Sequence, residues 1–121
     1  MIHGTKSHER LSTCHQDLQQ LVLAASEDFD LVVLCGHRGK EEQDDAVKRG
    51  TSKLPWPKSR HNTLPSQAVD LAPWPIDWED VRRFDLLGAH VRRVAQNLEL
   101  TITWGGTWKT LVDRPHFEVV R

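Results

Sequence analysis

The sequence has 121 residues, a formal net charge of −1 and 38% hydrophobic residues, which is the size and composition of one domain with a modest core. The balanced charge argues against a nucleic-acid partner, because sequence-independent binders present a basic field. No apolar run approaches the roughly 20 residues that span a bilayer, so we expect no membrane insertion. We expect residues 1–121 to form a single, monomeric domain.

The first half of the chain predicts two helices and a buried strand. Residues 1–7 are polar and predict a loose segment. Apolar residues then recur at three- and four-residue spacing over residues 8–26, which is typical of an amphipathic helix packed on a core. The continuous apolar run 31–35 predicts a buried central strand. Residues 41–49 predict a short helix that ends before Gly50.

The second half of the chain predicts a long loop and three strands. Residues 51–66 contain three prolines and no regular pattern, and long loops in compact domains are often functional. Residues 67–71 predict a short strand. Residues 100–104 alternate between apolar and polar types and predict a strand with one face in water. The final strand is expected within residues 113–120.

One further helix is predicted between the second and third of these strand segments. Asp77 is a suitable N-cap, and residues 78–98 continue with an apolar face at helical spacing. The helices and strands do not alternate as regular βαβ units, which favours an α+β fold. We therefore predict a small antiparallel sheet, with the helices near residues 8–26 and 78–98 packed on it.

The best metal ligands in the sequence lie in segments that can converge. His61 lies in the long loop, Asp70 in the strand that follows, and His116 at the start of the final strand. Two imidazoles and one carboxylate leave a fourth position of a zinc ion open for water, which is the pattern of a catalytic zinc site. Asp113 stands three residues before His116, close enough to act as a base toward that water. We predict one zinc ion held by His61, Asp70 and His116.

Three short motifs resemble those of a known family of enzymes. They are Ser59-x-His61, Ala68-Val69-Asp70 and Asp113-x-x-His116-Phe117-Glu118. In this chain order they resemble the zinc peptidases of the D-alanyl-D-alanine carboxypeptidase group, whose fold is shared with the hedgehog signalling domain. Within that group the chain is most similar to short phage endolysins that cut between L-alanine and D-glutamate in peptidoglycan. The resemblance runs from about residue 31 to residue 120.

The sequence departs from this family at two places. Many relatives have a shorter segment between the first histidine and the aspartate, usually with a glycine, whereas residues 62–67 contain none. Many relatives also have an acidic residue where this chain has Thr107. The longer segment bears on substrate preference more than on metal binding.

The resemblance also implies roles for residues outside the metal ligands. It implies that Arg38, on a glycine-flanked turn, stabilises the tetrahedral intermediate, which suits a permanently charged guanidinium; the alternative is a solvated arginine. Gln43 matches a recurrent family position and is assigned to substrate binding or to support of the site. Ser59 is assigned to substrate binding or to orienting a ligand. Trp104 is assigned to one wall of the cleft, with a core position as the alternative.

The implied function is zinc-dependent hydrolysis of the L-alanyl-D-glutamate bond in the peptidoglycan stem peptide. A D-Ala-D-Ala carboxypeptidase or dipeptidase would keep the same zinc site, and so would a non-catalytic cell-wall binding module, although Asp113 argues against the latter. No signal peptide is visible. We therefore expect the protein in the cytoplasm of the producing bacterial cell, with release to the cell wall by another factor. Cys14 and Cys35 match no metal or redox motif and are interpreted as free buried thiols.

Overall fold

The computed structural model describes residues 1–120, and they form the α+β fold that the sequence predicts, with helices packed on a five-stranded sheet. The strands are β1 (Ile2–His3), β2 (Leu31–Cys35), β3 (Ala68–Pro73), β4 (Ile102–Trp104) and β5 (His116–Val119). The helices are α1 (Ser7–Ser12), α2 (Gln16–Ala25), α3 (Lys40–Lys48) and α4 (Val81–Asn97). Short 3₁₀ turns occupy Arg60–Asn62 and Gly105–Thr107.

The sheet has the strand order β1-β2-β3-β5-β4, and one of its four strand pairs is parallel. β2 with β3, β3 with β5 and β4 with β5 are antiparallel, as expected. The prediction of a loose segment over residues 1–7 is wrong, because Ile2 and His3 pair in parallel with Leu31 and Val32. A two-residue strand is too short to show an alternating pattern, so no pattern in residues 1–7 predicts it.

The predicted helix over residues 8–26 is two helices. The chain leaves the helical path at Thr13, and His15 caps α2 by accepting a hydrogen bond from the backbone N–H of Asp17. Cys14 forms an isolated bridge with Ser66, in which the Ser66 N–H donates to the Thr13 carbonyl at 2.8 Å. Leu11 before the break, Cys14 within it and Leu18 after it are all buried in the main core. Their spacing is that of one continuous helix, which is why the pattern predicts a single helix.

The main core lies between one face of the sheet and helices α2 and α4. From the sheet it contains Val69, Leu71 and Phe117, each fully buried. Side chains alternate between the two faces of a strand, so Asp70 and His116 project from the opposite face. The alternation of residues along β3 and β5 therefore places the apolar side chains on one face of the sheet and the predicted metal ligands Asp70 and His116 on the other.

Two other predicted boundaries shift slightly. Helix α4 begins at Val81, and its N-cap is Asp80 instead of the predicted Asp77. The Asp80 carboxylate accepts a hydrogen bond from the backbone N–H of Arg83. Residues 113–115 form a turn before β5, so the last strand is shorter than predicted. Within residues 1–120, no helix is both long enough and apolar enough to cross a membrane.

Candidate metal centre

Three structural elements bring the predicted ligands together. Asp70 and His116 are direct register partners on the antiparallel strands β3 and β5. His61 lies in the 3₁₀ turn before β3, whose cap is Ser59: its hydroxyl accepts a hydrogen bond from the His61 backbone N–H at 3.2 Å. The His61 carbonyl accepts from the backbone N–H of Arg38 at 2.7 Å, which holds this turn against the end of β2.

The ligand atoms of these residues converge on a single carboxylate oxygen. Nε2 of His61 and Nδ1 of His116 each lie 3.3 Å from Oδ1 of Asp70. This oxygen is buried and accepts no hydrogen bond from residues 1–120. Nitrogen and oxygen ligands at about 2.0–2.1 Å from a tetrahedral zinc lie about 3.3–3.4 Å apart. Each of these two nitrogen–oxygen distances, together with the unpaired buried oxygen, therefore fits a metal ion bound at Asp70. Within 4.8 Å, the ligand atoms of His61 and of His116 each group with Asp70 but not with each other.

Both imidazoles are held with the correct nitrogen facing this point. Nδ1 of His61 donates to the Gly36 carbonyl oxygen at 2.8 Å, which leaves Nε2 as the ligand nitrogen. Nε2 of His116 donates to Oε1 of Glu118 at 2.7 Å, which leaves Nδ1. Such outer hydrogen bonds fix the tautomer and ring orientation of metal-binding histidines. The sequence motif includes Glu118 but does not predict that it orients His116, and no role was predicted for Gly36. The position of Glu118, two residues after His116 on the same strand face, was the available signal.

The charges of the three side chains reinforce one another. Burial alone would lower the pKa of both histidines, but the Asp70 carboxylate outweighs it and raises the pKa of His61 to about 10 and that of His116 to about 8. Burial opposes ionisation of Asp70, yet the two imidazoles hold its pKa well below the usual range. Without a metal ion, the site at neutral pH therefore contains a carboxylate flanked by two imidazolium groups. A metal cation would displace one proton from each imidazolium and bind to the nitrogen that is freed.

Asp113 stands beside the ligands but is more exposed than they are. Its Oδ2 lies 4.0 Å from Nδ1 of His116, and its side chain is 43% exposed, against 8% for that histidine. The Asp113 carbonyl accepts from the His116 N–H, and its own N–H donates to Gly105. Only glycine fits at 105, because a Cβ there would lie 2.2 Å from the Asp113 carbonyl oxygen. Burial and the charge of Asp70 raise the pKa of Asp113 above its ordinary value.

Arg38 borders the site on the other side. One guanidinium nitrogen, NH2, lies 3.7 Å from Oδ2 of Asp70, and the other, NH1, donates to Oε1 of Gln43 at 2.9 Å. Gln43 is fully buried and also bonds Asn62, Ser52 and the Leu54 carbonyl. The assignment of Gln43 to substrate contact is therefore wrong, because no part of its side chain reaches the surface; it supports Arg38 and the His61 turn.

Comparisons with known proteins show the family to which the chain belongs. A sequence profile described as phage L-alanyl-D-glutamate peptidase matches residues 2–120. The chain belongs to this family. A crystal structure of the L-Ala D-Glu endopeptidase ChiX from Serratia marcescens is similar, with a TM-score of 0.83 and 30% sequence identity over 99% of this chain and 90% of that one. A search of curated proteins gives no match.

Two other assignments are changed by the structure of this family member. Ser59 is buried and its hydroxyl caps the turn of His61, so it orients a ligand and is not placed to contact substrate. Trp104 is 8% exposed, stacks on Phe117 in the core and donates to the Arg114 carbonyl. Its assignment to the cleft wall is wrong. Trp108 is the tryptophan near the site, with its ring centroid 5.1 Å from that of His116.

A groove borders the face of the sheet that holds the ligands. This face continues from Asp70 to Ala72, over which Phe84 packs, and Trp78 stacks on Phe84 with ring centroids 5.5 Å apart. The groove measures about 170 Å³ and is lined by Trp78, Val81, Phe84, Arg114 and Pro115. Since Pro115 directly precedes His116, one end of the groove lies next to the candidate metal centre of this peptidase-family chain.

Proposed function

We propose that the chain is a zinc-dependent peptidase that hydrolyses the L-alanyl-D-glutamate bond of peptidoglycan stem peptides. The observation that supports this most is the convergence of His61 Nε2 and His116 Nδ1 on the unpaired buried oxygen of Asp70. Two imidazoles and a carboxylate are the donor set of many catalytic zinc sites. The family is defined by cleavage of this bond, and the similar solved structure is an L-Ala D-Glu endopeptidase.

When bound, a zinc ion at these residues would supply a Lewis acid and lower the pKa of a water molecule to about 7. The chain's own residues then divide the remaining work. Asp113 accepts a proton from the attacking water and delivers it to the amine of the leaving D-glutamate. Its exposure suits this role, because a base must reach water and substrate, whereas the more deeply buried ligands need only reach the metal.

Arg38 is positioned to stabilise the negative charge that develops on the scissile carbonyl oxygen. Its guanidinium is fixed before substrate arrives, since Gln43 accepts one of its N–H groups and Asp70 lies 3.7 Å away. A charged donor held in advance stabilises a transition state without reorganisation at the moment of reaction. The Asp70 carboxylate therefore serves both as a metal ligand and as a partner that keeps Arg38 at the site.

Digestion of purified peptidoglycan followed by mass spectrometry tests the bond that is cut. We expect fragments with a new N-terminal glutamate and intact sugar chains. Release of free D-alanine or D-Ala-D-Ala would instead indicate the exopeptidase alternative, and no release of any peptide would indicate a binding module.

The zinc requirement is tested on the same substrate. Chelation should abolish the release of peptides, and one equivalent of zinc should restore it. His61→Ala should lose both metal and activity, whereas the matched variant His8→Ala, which changes an exposed histidine on α1, should retain both. Full activity of His61→Ala after chelation would overturn the proposed role of zinc.

A further inference from the structure

A further side chain of a type that can bind metal lies beside the candidate metal centre. The Cys35 sulfur and the ligand atoms of His61 and Asp70 all lie within 4.8 Å of one another. The carboxylate of Asp113 forms a similar group with Asp70 and His116. Cys35 and Asp113 thus flank the three ligands from two sides, Cys35 beside His61 and Asp113 beside His116.

An irregularity in β2 places Cys35 on this face. Val33 pairs with Leu71 and is buried in the main core, so Cys35, two residues later, would face the core in a regular strand. The register shifts between Val33 and Cys35, and Cys35 pairs with Asp70 instead. Residues directly opposite on antiparallel strands share a face, and bulges are a common means of re-aiming a side chain near active sites. The bulge therefore turns the thiol toward the metal ligands.

The local contacts of Cys35 do not hold the thiol away from the site. Its sulfur lies 3.8 Å from NH2 of Arg38, a permanently charged donor, and 3.5 Å from the carbonyl oxygen of the adjacent Gly36. The residue is partly buried. The neighbouring Oδ1 of Asp70 is buried without a hydrogen-bond donor. A cation bound to this oxygen would supply the missing partner and would lie close to the thiol.

We propose that Cys35 is a fourth protein ligand available to the metal ion at His61, Asp70 and His116. If Cys35 bound the ion as a thiolate, its proton would go to solvent and its sulfur would take the coordination position that a water molecule needs for hydrolysis; no oxidation or reduction would take place. This inference rests on the proposed metal centre. It predicts that the wild-type site binds thiophilic ions more tightly than a site with the two imidazoles and the carboxylate but without the thiol, because thiolate is a soft ligand.

Cobalt substitution gives a direct measurement of this bond. The chelated protein is loaded with Co²⁺, and its absorption spectrum is recorded for the wild type, for Cys35→Ser and Cys35→Ala, and for Cys14→Ser. Cys14 is the matched control, because it is the other cysteine and its buried sulfur faces the carbonyl oxygens of Arg10 and Ala68. A thiolate ligand adds an intense charge-transfer band in the near ultraviolet to the weaker visible bands of Co²⁺.

We expect that band in the wild type and in Cys14→Ser, and its absence in both Cys35 variants. The Cys35 variants should also bind Cd²⁺ at least about tenfold more weakly than the wild type. Removing a group that only supports a ligand already costs about 10–100-fold in metal affinity, so loss of a ligand should cost at least the lower figure. Visible Co²⁺ bands without the charge-transfer band in the wild type would overturn the role of Cys35 while leaving the metal centre intact. Failure of the wild type to bind Co²⁺ at all would overturn the metal centre itself.

Discussion

Nε2 of His116 lies 2.7 Å from Oε1 of Glu118, while Nδ1 of the same ring faces Asp70. Residues two apart on a strand share a face, so this contact follows directly from the sequence of β5. Oε2 of Glu118 lies 3.4 Å from Nε of Arg60, in the turn that holds His61. One carboxylate thus orients one ligand and contacts the segment that supplies another.

Removing the charge of Glu118 should weaken metal binding without unfolding the protein. Glu118→Gln keeps an oxygen acceptor for His116 but removes the negative charge that strengthens the imidazole as a ligand. We expect zinc affinity to fall by about 10–100-fold, as for other supporting carboxylates. Competition with a chromophoric chelator measures this, with Glu41→Gln, an exposed change on α3, as the control. Unchanged affinity in Glu118→Gln would show that the hydrogen bond does not tune the ligand.

Asp113→Ala should separate chemistry from metal binding. A positioned general base contributes about 10²–10⁴-fold in rate, so peptide release should fall on that scale. Zinc content and the thermal midpoint should stay close to those of the wild type, because Asp113 is partly exposed and its hydrogen bonds to Gly105 and His116 are made by its backbone, which the change keeps. The control is Asp28→Ala, which also removes an exposed carboxylate.

Two results would contradict the assignment of Asp113. Loss of zinc as complete as in His116→Ala would make Asp113 a ligand, which its distance from Asp70 and His116 permits. Retention of both zinc and near-normal turnover would place the base elsewhere, and Glu118 would then be the next residue to test.

Metal binding should release protons. The pKa of about 10 for His61 and about 8 for His116 in the metal-free site means that both rings are protonated at pH 7. A metal ion must displace these protons, so about two should be released per zinc and the affinity should rise with pH. Calorimetric titration of chelated protein in buffers of different ionisation enthalpy measures the number released. Release of no protons at pH 7 would contradict the raised pKa values.

The stability of the metal-free protein should depend on pH with a defined sign. Both histidines have a raised pKa, so their stabilisation is complete below their ordinary pKa of 6.5 and is lost as the pH rises through about 8 and about 10. Asp70 has a lowered pKa, so its contribution is lost only in acid. Urea unfolding of chelated protein should therefore give a lower free energy of unfolding at about pH 9.5 than at about pH 6.5. A higher value at alkaline pH would contradict this pairing.

Gln43→Ala should destabilise the fold and impair catalysis together. The change leaves several partly buried partners without a hydrogen bond, each costing up to about 1–3 kcal/mol if it stays unsatisfied. It also frees Arg38, so we expect kcat to fall more than KM rises. Gln43→Glu keeps the acceptor for Arg38 and should recover part of kcat. Gln96→Ala, an exposed change on α4, is the control for loss of a glutamine. A change in stability alone, with normal kcat, would make Gln43 purely structural.

The parts of the molecule that could be predicted are those with a periodic pattern or a characteristic ligand set. The apolar run of β2 and the amphipathic face of α4 depend on local residue types, and the predicted ligands His61 and His116 each lie 3.3 Å from Asp70. The errors arise where position depends on distant partners. Gln43 was assigned to substrate binding or to support of the site, and four hydrogen bonds satisfy it in the interior. The direction of the Cys35 side chain depends on a bulge in β2, and no residue pattern in that strand predicts the bulge.

The break between α1 and α2 has a consequence for the dynamics of the site. The N–H of His15 donates to the Ser66 carbonyl at 2.7 Å, and the N–H of Ser66 donates to the Thr13 carbonyl at 2.8 Å. These two amides can exchange with deuterium only when the helical joint and the segment between His61 and Asp70 separate from each other. We expect them to exchange at one common rate, as a single opening unit. Metal binding, which ties together the two ends of that segment, should slow both amides equally, although neither residue touches the ion.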